Sequence, residues 1–263
     1  MTTPAIQLPG RVFISADCDA LFDDLASSLM SSAIKAVHDR GVFHLALSGG
    51  STPEPFYMQL MIDPRWRIVP WERTHLWIVD ERRVPESDPK SNFRMIRETL
   101  ADHAPIPRRQ VHPMAALADD AADLYQQELR EVIAAPDQEG TLRPDPSFTP
   151  RLDFVLLGMG DDAHTASLFP GSDAVHEKVE LVVVNEGRNV TPPPRVTMTF
   201  PLLNAARQVA ILVTDQKKAA TLRKVSDHLR EAAADPVLYP ITGIAPVEGG
   251  LAWYLDAAAA GVE

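Results

Sequence analysis

Short apolar runs alternate with longer segments of helical periodicity along most of the chain, an order that few folds accommodate. Three runs are clearest, at 42–47, 76–79 and 154–157, and each is followed by a glycine-rich or polar loop. Runs of this length and composition predict strands that are buried on both faces. Strands that alternate with helices predict an α/β fold, with a mostly parallel sheet and helices on both faces.

The first long helix is indicated most directly. Apolar residues recur at Leu21, Leu25 and Leu29 and onward to residue 37, after Asp17 as a predicted N-cap and before Gly41. Further helices are predicted from Pro53, from Ser91, around 119–133 and from about 216 to 229, and further strands at 181–184, 196–199 and 209–213.

Composition narrows the class of protein. Apolar residues make up 45% of the chain, a share typical of a folded globular protein. The 25 basic and 36 acidic residues give a net charge of −11, which disfavours nucleic-acid or anionic-membrane partners. Cys18 is the single cysteine, so a reducing compartment is expected. No signal-like start or membrane-length apolar run is evident, and we expect a cytoplasmic protein.

A length of 263 residues suits one large domain or two small ones. The segment at about 134–150 is rich in proline and charge, which disfavours regular structure. It resembles either a linker or an irregular excursion within one domain. Because strands and helices alternate unchanged beyond it, we expect a single α/β domain over 1–263.

The first informative loop, SGGSTP at 48–53, follows a predicted strand. In open α/β sheets, ligands bind beyond the carboxyl ends of the strands. Gly49 and Gly50 let backbone N–H groups approach an anion, and the following helix N-terminus favours negative charge. A tight turn with Ser51 or Thr52 as N-cap is the equally weighted alternative. The loop matches neither the P-loop nor the dinucleotide-binding pattern.

The second loop contains Asp80, Glu81 and Arg82 and leads to Asn92. Neighbours on an extended chain point to opposite faces, so at most one of the two acids faces a given pocket, which disfavours a glycosidase pair. Arg82 suits bidentate phosphate binding, with Asp80 orienting the loop or the arginine. A solvated charge cluster is the alternative.

The third loop, GMGDDAHTASLFP at 158–170, contains His164 two residues after Asp162. This spacing suits a general base that a carboxylate holds in one tautomer. We interpret the other seven histidines as structural. A metal site of Asp161, Asp162 and His164 is disfavoured because no second histidine stands at ligand spacing. No nucleophilic-serine elbow is present.

Basic residues near later strands complete the candidate pocket. Arg195 lies in PPPRVTMTFP, and Lys217 and Lys218 begin a predicted helix. Such residues are able to complete an anion pocket, although lysines at a helix start are ordinarily solvated.

Together these loops resemble the 6-phosphogluconolactonase family over nearly the whole chain. The motifs SGGSTP, DERRVP with Ser91–Asn92, HTASLFP, PPPRVTMTFPLLNAAR, the lysine helix and LAWYLDAAA occur in the family's order. The resemblance implies a fold like glucosamine-6-phosphate deaminase (NagB) and ribose-5-phosphate isomerase, and hydrolysis of 6-phosphoglucono-δ-lactone. It implies His164 as general base assisted by Asp162, and substrate binding by Ser48, Gly49, Gly50, Asp80, Arg82, Asn92, Arg195 and Lys218. The family's motif has one lysine, so Lys217 is the alternative to Lys218, which we favour because it directly precedes Ala219 and Ala220.

The expected reaction requires no cofactor and no metal, because a δ-lactone is an activated ester that needs only water, a base and oxyanion donors. The expected partner is a small sugar-phosphate lactone, with the protein a monomer or a weak homo-oligomer. A deaminase on the same fold is less consistent, because the chain has DER and SLFP where those enzymes have DEY and FNEP. A non-catalytic sugar-phosphate sensor is the alternative from another class.

Three residues depart from the family's pattern. Ala163 stands where glycine is usual, Asp161 where proline is common, and Asp215 where glycine usually precedes the lysine helix. If position 163 requires a positive φ, alanine costs about 1–2 kcal/mol, and His164 is at risk of displacement.

Overall fold

The computed structural model describes residues 6–134, 149–187, 190–192, 194–231 and 233–262. Its main sheet has seven strands in the order β1-β10-β9-β6-β2-β3-β5, all paired in parallel. These strands are β1 (Arg11–Ser15), β2 (Phe43–Leu47), β3 (Thr74–Ile78), β5 (Val111–His112), β6 (Phe154–Gly158), β9 (Gln208–Val213) and β10 (Gly250–Asp256). Strand β4 (Asp80–Arg82) belongs to a second, smaller sheet.

Helices cover both faces of the main sheet, as predicted. One face packs against α1 (Cys18–Arg40), α2 (Glu54–Ile62) and α3 (Asn92–Ile96), which continues as a π-helical turn to Ala101. The other face packs against α4 (Ala121–Ile133), α5 (Phe200–Ala205), α6 (Ala219–Glu231) and α7 (Ala257–Ala260). Each face therefore has its own apolar core, and the α/β fold class is confirmed.

Local sequence accounts for the best-predicted elements. The Asp17 side chain caps α1 by accepting a hydrogen bond from Ala20 N at 2.9 Å, and Gly41 ends the helix at φ 80°. All five residues of β2 are buried, as its apolar run predicts. The prediction of an irregular excursion at 134–150 falls almost entirely on residues 135–148, which lie outside the described part of the chain.

One part of the topology differs from the expectation. The apolar runs at 181–184 and 196–199 predict further strands of the mostly parallel sheet, but β7 (Val182–Asn185) and β8 (Arg195–Met198) form an antiparallel sheet with β4 in the order β4-β8-β7. Parallel neighbours require a long crossover connection, whereas antiparallel neighbours do not. Only residues 186–194 connect β7 to β8, which is too short for a crossover helix.

The order of the main sheet defines a switch point. From β2 the chain continues to β3 and β5 on one side, whereas β9, β10 and β1 lie beyond β6 on the other. The loops that follow β2 and β6 therefore leave the sheet in opposite directions, and a crevice opens between them. Such a crevice, at the carboxyl ends of the strands, is where ligands bind in open α/β sheets.

In the described part of the chain, none of the helices combines the length and the apolar composition of a membrane span.

Candidate functional site

A cleft of about 470 Å³ occupies this switch point. It is lined by the loops after β2 and β6, by β4 and β8 of the small sheet, and by the start of the α6 region. All ten residues of the predicted site lie at or beside it. Nine line the cleft directly, namely Ser48, Gly49, Gly50, Asp80, Arg82, Asn92, His164, Arg195 and Lys218, and Asp162 lies next to His164.

The glycine loop is shaped by a close approach to Asn92. A Cβ atom at Gly49 would overlap the Asn92 side-chain amide, so only glycine fits there. Asn92 Nδ2 donates to the Asp80 carbonyl at 2.7 Å, and Tyr57 Oη donates to the Ser48 carbonyl at 2.7 Å. The N-cap position of α2 is Pro53, without a side-chain cap, which does not support the N-cap interpretation of this loop.

Asp80 and Glu81 point to opposite sides of their strand, as the sequence predicts. Asp80 lines the cleft, and its Oδ2 accepts a hydrogen bond from Ser167 Oγ at 2.6 Å. Ser167 is buried, and its backbone N–H donates to Thr197 Oγ1 on β8 at 3.1 Å. The Asp80 carboxylate is thus held by the loop that follows His164.

Glu81 is a residue whose importance the sequence interpretation missed. Its buried carboxylate accepts hydrogen bonds from the backbone N–H groups of Arg82, Asn92 and Phe93, each at 2.7 Å, and from Ser91 Oγ at 2.9 Å. Burial raises the pKa of Glu81, and these four hydrogen bonds oppose that effect. The carboxylate ties the backbone of two cleft residues together.

Two arginines face each other across the small sheet. Arg82 on β4 is paired in register with Arg195 on β8. Directly opposed like charges destabilise an antiparallel pair. Burial, and next the charge of Arg82, lower the pKa of Arg195, while Asp80 and Glu81 act in the opposite direction. Arg195 is only 5% exposed, so the arrangement favours an anion between the two guanidinium groups.

Several polar atoms of the cleft have no hydrogen-bond partner among the described residues. They are Ser48 Oγ, Asn92 Oδ1, Arg82 Nε and Arg195 Nη1, all buried. An unpaired buried polar atom costs about 1–3 kcal/mol. Their concentration at one place therefore indicates that a polar ligand satisfies them.

His164 and Asp162 form a close pair. His164 Nδ1 lies 2.5 Å from Asp162 Oδ1, which also accepts the His164 backbone N–H at 3.1 Å. Burial acts to raise the pKa of Asp162, but the hydrogen bond and charge of His164 outweigh it, so the pKa is lowered. In the tautomer that carries its proton on Nδ1, the ring donates a hydrogen bond to the Asp162 carboxylate, and the Nε2 lone pair is then available to accept a proton.

The backbone of this loop is strained around the histidine. Ala163 has φ 64° and Ala166 has φ 50°. Position 163 therefore does adopt the positive φ that favours glycine. His164 nevertheless keeps its contact with Asp162. A Cβ atom at Gly160 would overlap the His164 ring, and Thr165 Oγ1 donates to the Gly158 carbonyl at 2.9 Å.

Lys217 and Lys218 differ in their position relative to the cleft. Lys218 lines the cleft, and its Nζ lies 2.5 Å from Asp161 Oδ1, whereas Lys217 is exposed. This geometry favours Lys218, as expected. In the described part of the chain, no group of three or more His, Cys, Asp or Glu residues has the geometry to hold a metal ion.

Comparison with known proteins places this fold and cleft in a family. The model of "Glucosamine-6-phosphate isomerases/6-phosphogluconolactonase" matches residues 16–253. The chain therefore belongs to the glucosamine-6-phosphate isomerase/6-phosphogluconolactonase family, and the predicted resemblance is confirmed.

Individual relatives are similar over most of the chain. It is 37% identical over 239 residues to the 6-phosphogluconolactonase of Nostoc sp., which covers 90% of each chain. It is 38% identical over 251 residues to the human GDH/6PGL endoplasmic bifunctional protein, covering 92% of this chain but 29% of that protein's length. The solved 6-phosphogluconolactonase of Thermotoga maritima superposes with a TM-score of 0.74 at 28% identity, over 94% of this chain and 99% of that one.

Proposed function

We propose that this chain hydrolyses 6-phosphoglucono-δ-lactone to 6-phosphogluconate, a step of the oxidative pentose phosphate pathway. The observation that carries the proposal is one cleft with two different chemistries. In this cleft, His164 is hydrogen-bonded to the Asp162 carboxylate. The same cleft contains Arg82 and Arg195, which lie opposite each other and have N–H groups without partners. The first suits water activation and the second suits a phosphate. The 6-phosphogluconolactonases among the relatives support the same reaction.

In the proposed mechanism, Nε2 of His164 takes a proton from a water molecule, which attacks the lactone carbonyl carbon. Asp162 orients the imidazole and stabilises its protonated form. The carbonyl oxygen becomes an oxyanion, for which we propose backbone N–H groups near Gly49 or around His164 as donors. The ring C–O bond then breaks, and the imidazolium returns its proton to the leaving oxygen. The product acid ionises and releases one proton to solvent.

Arg82, Arg195 and Lys218 would hold the substrate, together with Ser48, Gly49, Gly50, Asp80 and Asn92. The substrate phosphate lies far from the reacting carbon in the chain of the sugar, so its binding energy positions the carbonyl against the water. No cofactor enters this scheme. Activity is therefore expected to persist in EDTA, and loss that a divalent ion restores would contradict the scheme.

The direct test uses freshly made substrate. Glucose-6-phosphate and its dehydrogenase generate the lactone, and acid release is compared with and without this protein. We expect a rate well above the spontaneous background. A background rate from folded protein would refute the lactonase proposal, while phosphate binding without turnover would favour a sensor.

We also propose a cytoplasmic monomer or weak homo-oligomer that takes no nucleic acid or membrane as partner. The single cysteine and the net charge of −11 support this. Some relatives are named as endoplasmic or chloroplastic, so cell fractionation is the appropriate test of location. Light scattering at several concentrations tests the oligomeric state.

A further inference from the structure

Lys218 forms an ion pair with an acidic residue of the protein, Asp161. Its Nζ lies 2.5 Å from Asp161 Oδ1, with the lysine side chain 19% exposed and the aspartate 83% exposed. The carboxylate thus approaches the ammonium group from the solvent side of the cleft. An anion that enters from solvent meets this pair.

The loop that contains Asp161 is hydrogen-bonded to helix α6, which begins directly after Lys218. Thr221 Oγ1 on α6 donates to the Asp161 carbonyl at 2.6 Å. On the lysine side, Lys218 N donates to the Asp215 carbonyl at 3.0 Å, and Asp215 Oδ1 accepts the Lys217 N–H at 3.0 Å. Both partners are therefore fixed by backbone contacts, and the ion pair is a defined feature of the cleft.

The other cations of the cleft are arranged differently. Within the described ranges, neither Arg82 nor Arg195 has a carboxylate within salt-bridge distance, and each has an unpartnered buried N–H group. Lys218 is the one basic side chain of these three that is already neutralised by an acid. An oxyanion that binds the arginines gains their full charge, but it must share or displace Asp161 to gain that of Lys218.

We infer that Asp161 competes with incoming oxyanions for Lys218 and thereby reduces the affinity of the cleft for them. Only the identity of the natural ligand, a sugar-phosphate lactone, rests on the proposed function. An exposed ion pair contributes up to about 1 kcal/mol, so the competition weakens anion binding about two- to fivefold. The same factor applies to every oxyanion that binds Lys218, so the pair sets the affinity of the cleft for oxyanions in general.

The test is a double-mutant cycle with inorganic phosphate as the probe. Asp161→Asn, Lys218→Gln and the double variant are compared with the original protein by calorimetry, at low and high salt. We expect Asp161→Asn to tighten phosphate binding about two- to fivefold at low salt, and less at high salt. In the Lys218→Gln background, Asp161→Asn should have no effect, because the competition is gone.

Glu186→Gln is the matched control, because it removes one exposed negative charge beside a neighbouring cavity without touching Lys218. Equal tightening in this control would reduce the effect to net charge and overturn the inference. Weaker phosphate binding by Asp161→Asn would show that the aspartate only positions the lysine, which also overturns it. A complete lack of detectable phosphate binding by all of these proteins would also overturn the inference. The readout uses no lactone, so failure of the lactonase proposal remains a separate result.

Discussion

Two clusters of buried polar side chains differ in their hydrogen-bond partners. In the cleft at the carboxyl ends of the parallel strands, polar atoms such as Arg195 Nη1 have no partner among the described residues. Towards the amino ends, three histidines lie side by side on neighbouring strands and find partners. His75 Nδ1 lies 3.0 Å from His112 Nε2, His112 Nδ1 lies 2.6 Å from Glu128 Oε1, and Trp77 Nε1 donates to His44 Nδ1 at 3.2 Å.

The presence or absence of hydrogen-bond partners distinguishes a ligand-binding site from a polar part of the core. Burial, followed by the charges of neighbouring basic groups, lowers the pKa of His44 to about 3 and that of His75 to about 4. These rings are therefore neutral parts of the packing at pH 7. Residue type alone does not distinguish them from His164, whereas partners do. Changes at the carboxyl ends should reduce activity and spare stability, and changes at the amino ends should do the reverse.

The largest expected effect is that of His164→Ala. Loss of a general base typically costs 10²–10⁴-fold, so kcat should fall by about that factor with little change in KM. Asp162→Asn should lower kcat in the same direction but less, because it removes the group that orients the base. Steady-state lactone hydrolysis measures both. A folded His164→Ala protein with nearly full kcat would assign the base to another group.

Arg82→Ala should mainly weaken substrate binding. Charge-assisted hydrogen bonds contribute roughly 1.5–3 kcal/mol, which predicts a fall in kcat/KM of roughly 10- to 150-fold, mostly through KM. Part of the loss is compatible with a lower kcat, because the binding energy of the distant phosphate also helps to position the reacting carbon.

The adjacent Arg83 provides a matched control for that substitution. Its guanidinium donates to the carbonyl oxygens of Ala116 and Ala118 at 2.7 and 3.0 Å, and it does not line the cleft. Arg83→Ala should leave kcat/KM unchanged. Equal losses in the two variants would mean that Arg82 acts only through the general charge or stability of the loop.

The sequence predicts the strands and helices that have local signals. It also predicts the two loops that line the cleft after β2 and β6, because they follow strand ends, whereas the substrate-binding role of Asn92 and Arg195 comes only from the family resemblance. It does not predict β1 or β10, whose places at one side of the sheet depend on pairing between distant segments. Nor does it predict that β7 and β8 leave the parallel sheet, since apolar runs look alike in either arrangement. The part played by Glu81 depends on α3 folding back onto it, which no local pattern records.

Acid should destabilise the fold through His44 and His75, whose pKa values are lowered by burial. The unfolded chain binds protons on histidine near pH 6.5, whereas folded His44 does so only near pH 3. The free energy of unfolding is therefore fully retained above about pH 6.5 and falls as pH drops towards 4. Each such histidine contributes a slope of about 1.4 kcal/mol per pH unit in that window. Urea unfolding at several pH values measures this slope.

His44→Asn should reduce that slope while leaving kcat/KM at pH 7 unchanged. The groups that face His44 are Trp77, His75, His112 and Arg40, and all of them remain. The exposed His176 gives a control, since His176→Gln should not alter the slope. An unchanged slope in His44→Asn would contradict the neutral, structural role of this histidine.

The smallest expected effect concerns Ala163, fully buried with φ 64° in the catalytic loop. Ala163→Gly removes a left-handed penalty of about 1–2 kcal/mol, but it loses a buried methyl group of about 0.8 kcal/mol and frees the unfolded chain by about 0.4–1 kcal/mol. These terms nearly cancel, so unfolding free energy should change by less than about 1 kcal/mol. Because His164 already contacts Asp162, kcat should stay the same. A severalfold rise in kcat would show that Ala163 displaces His164 after all.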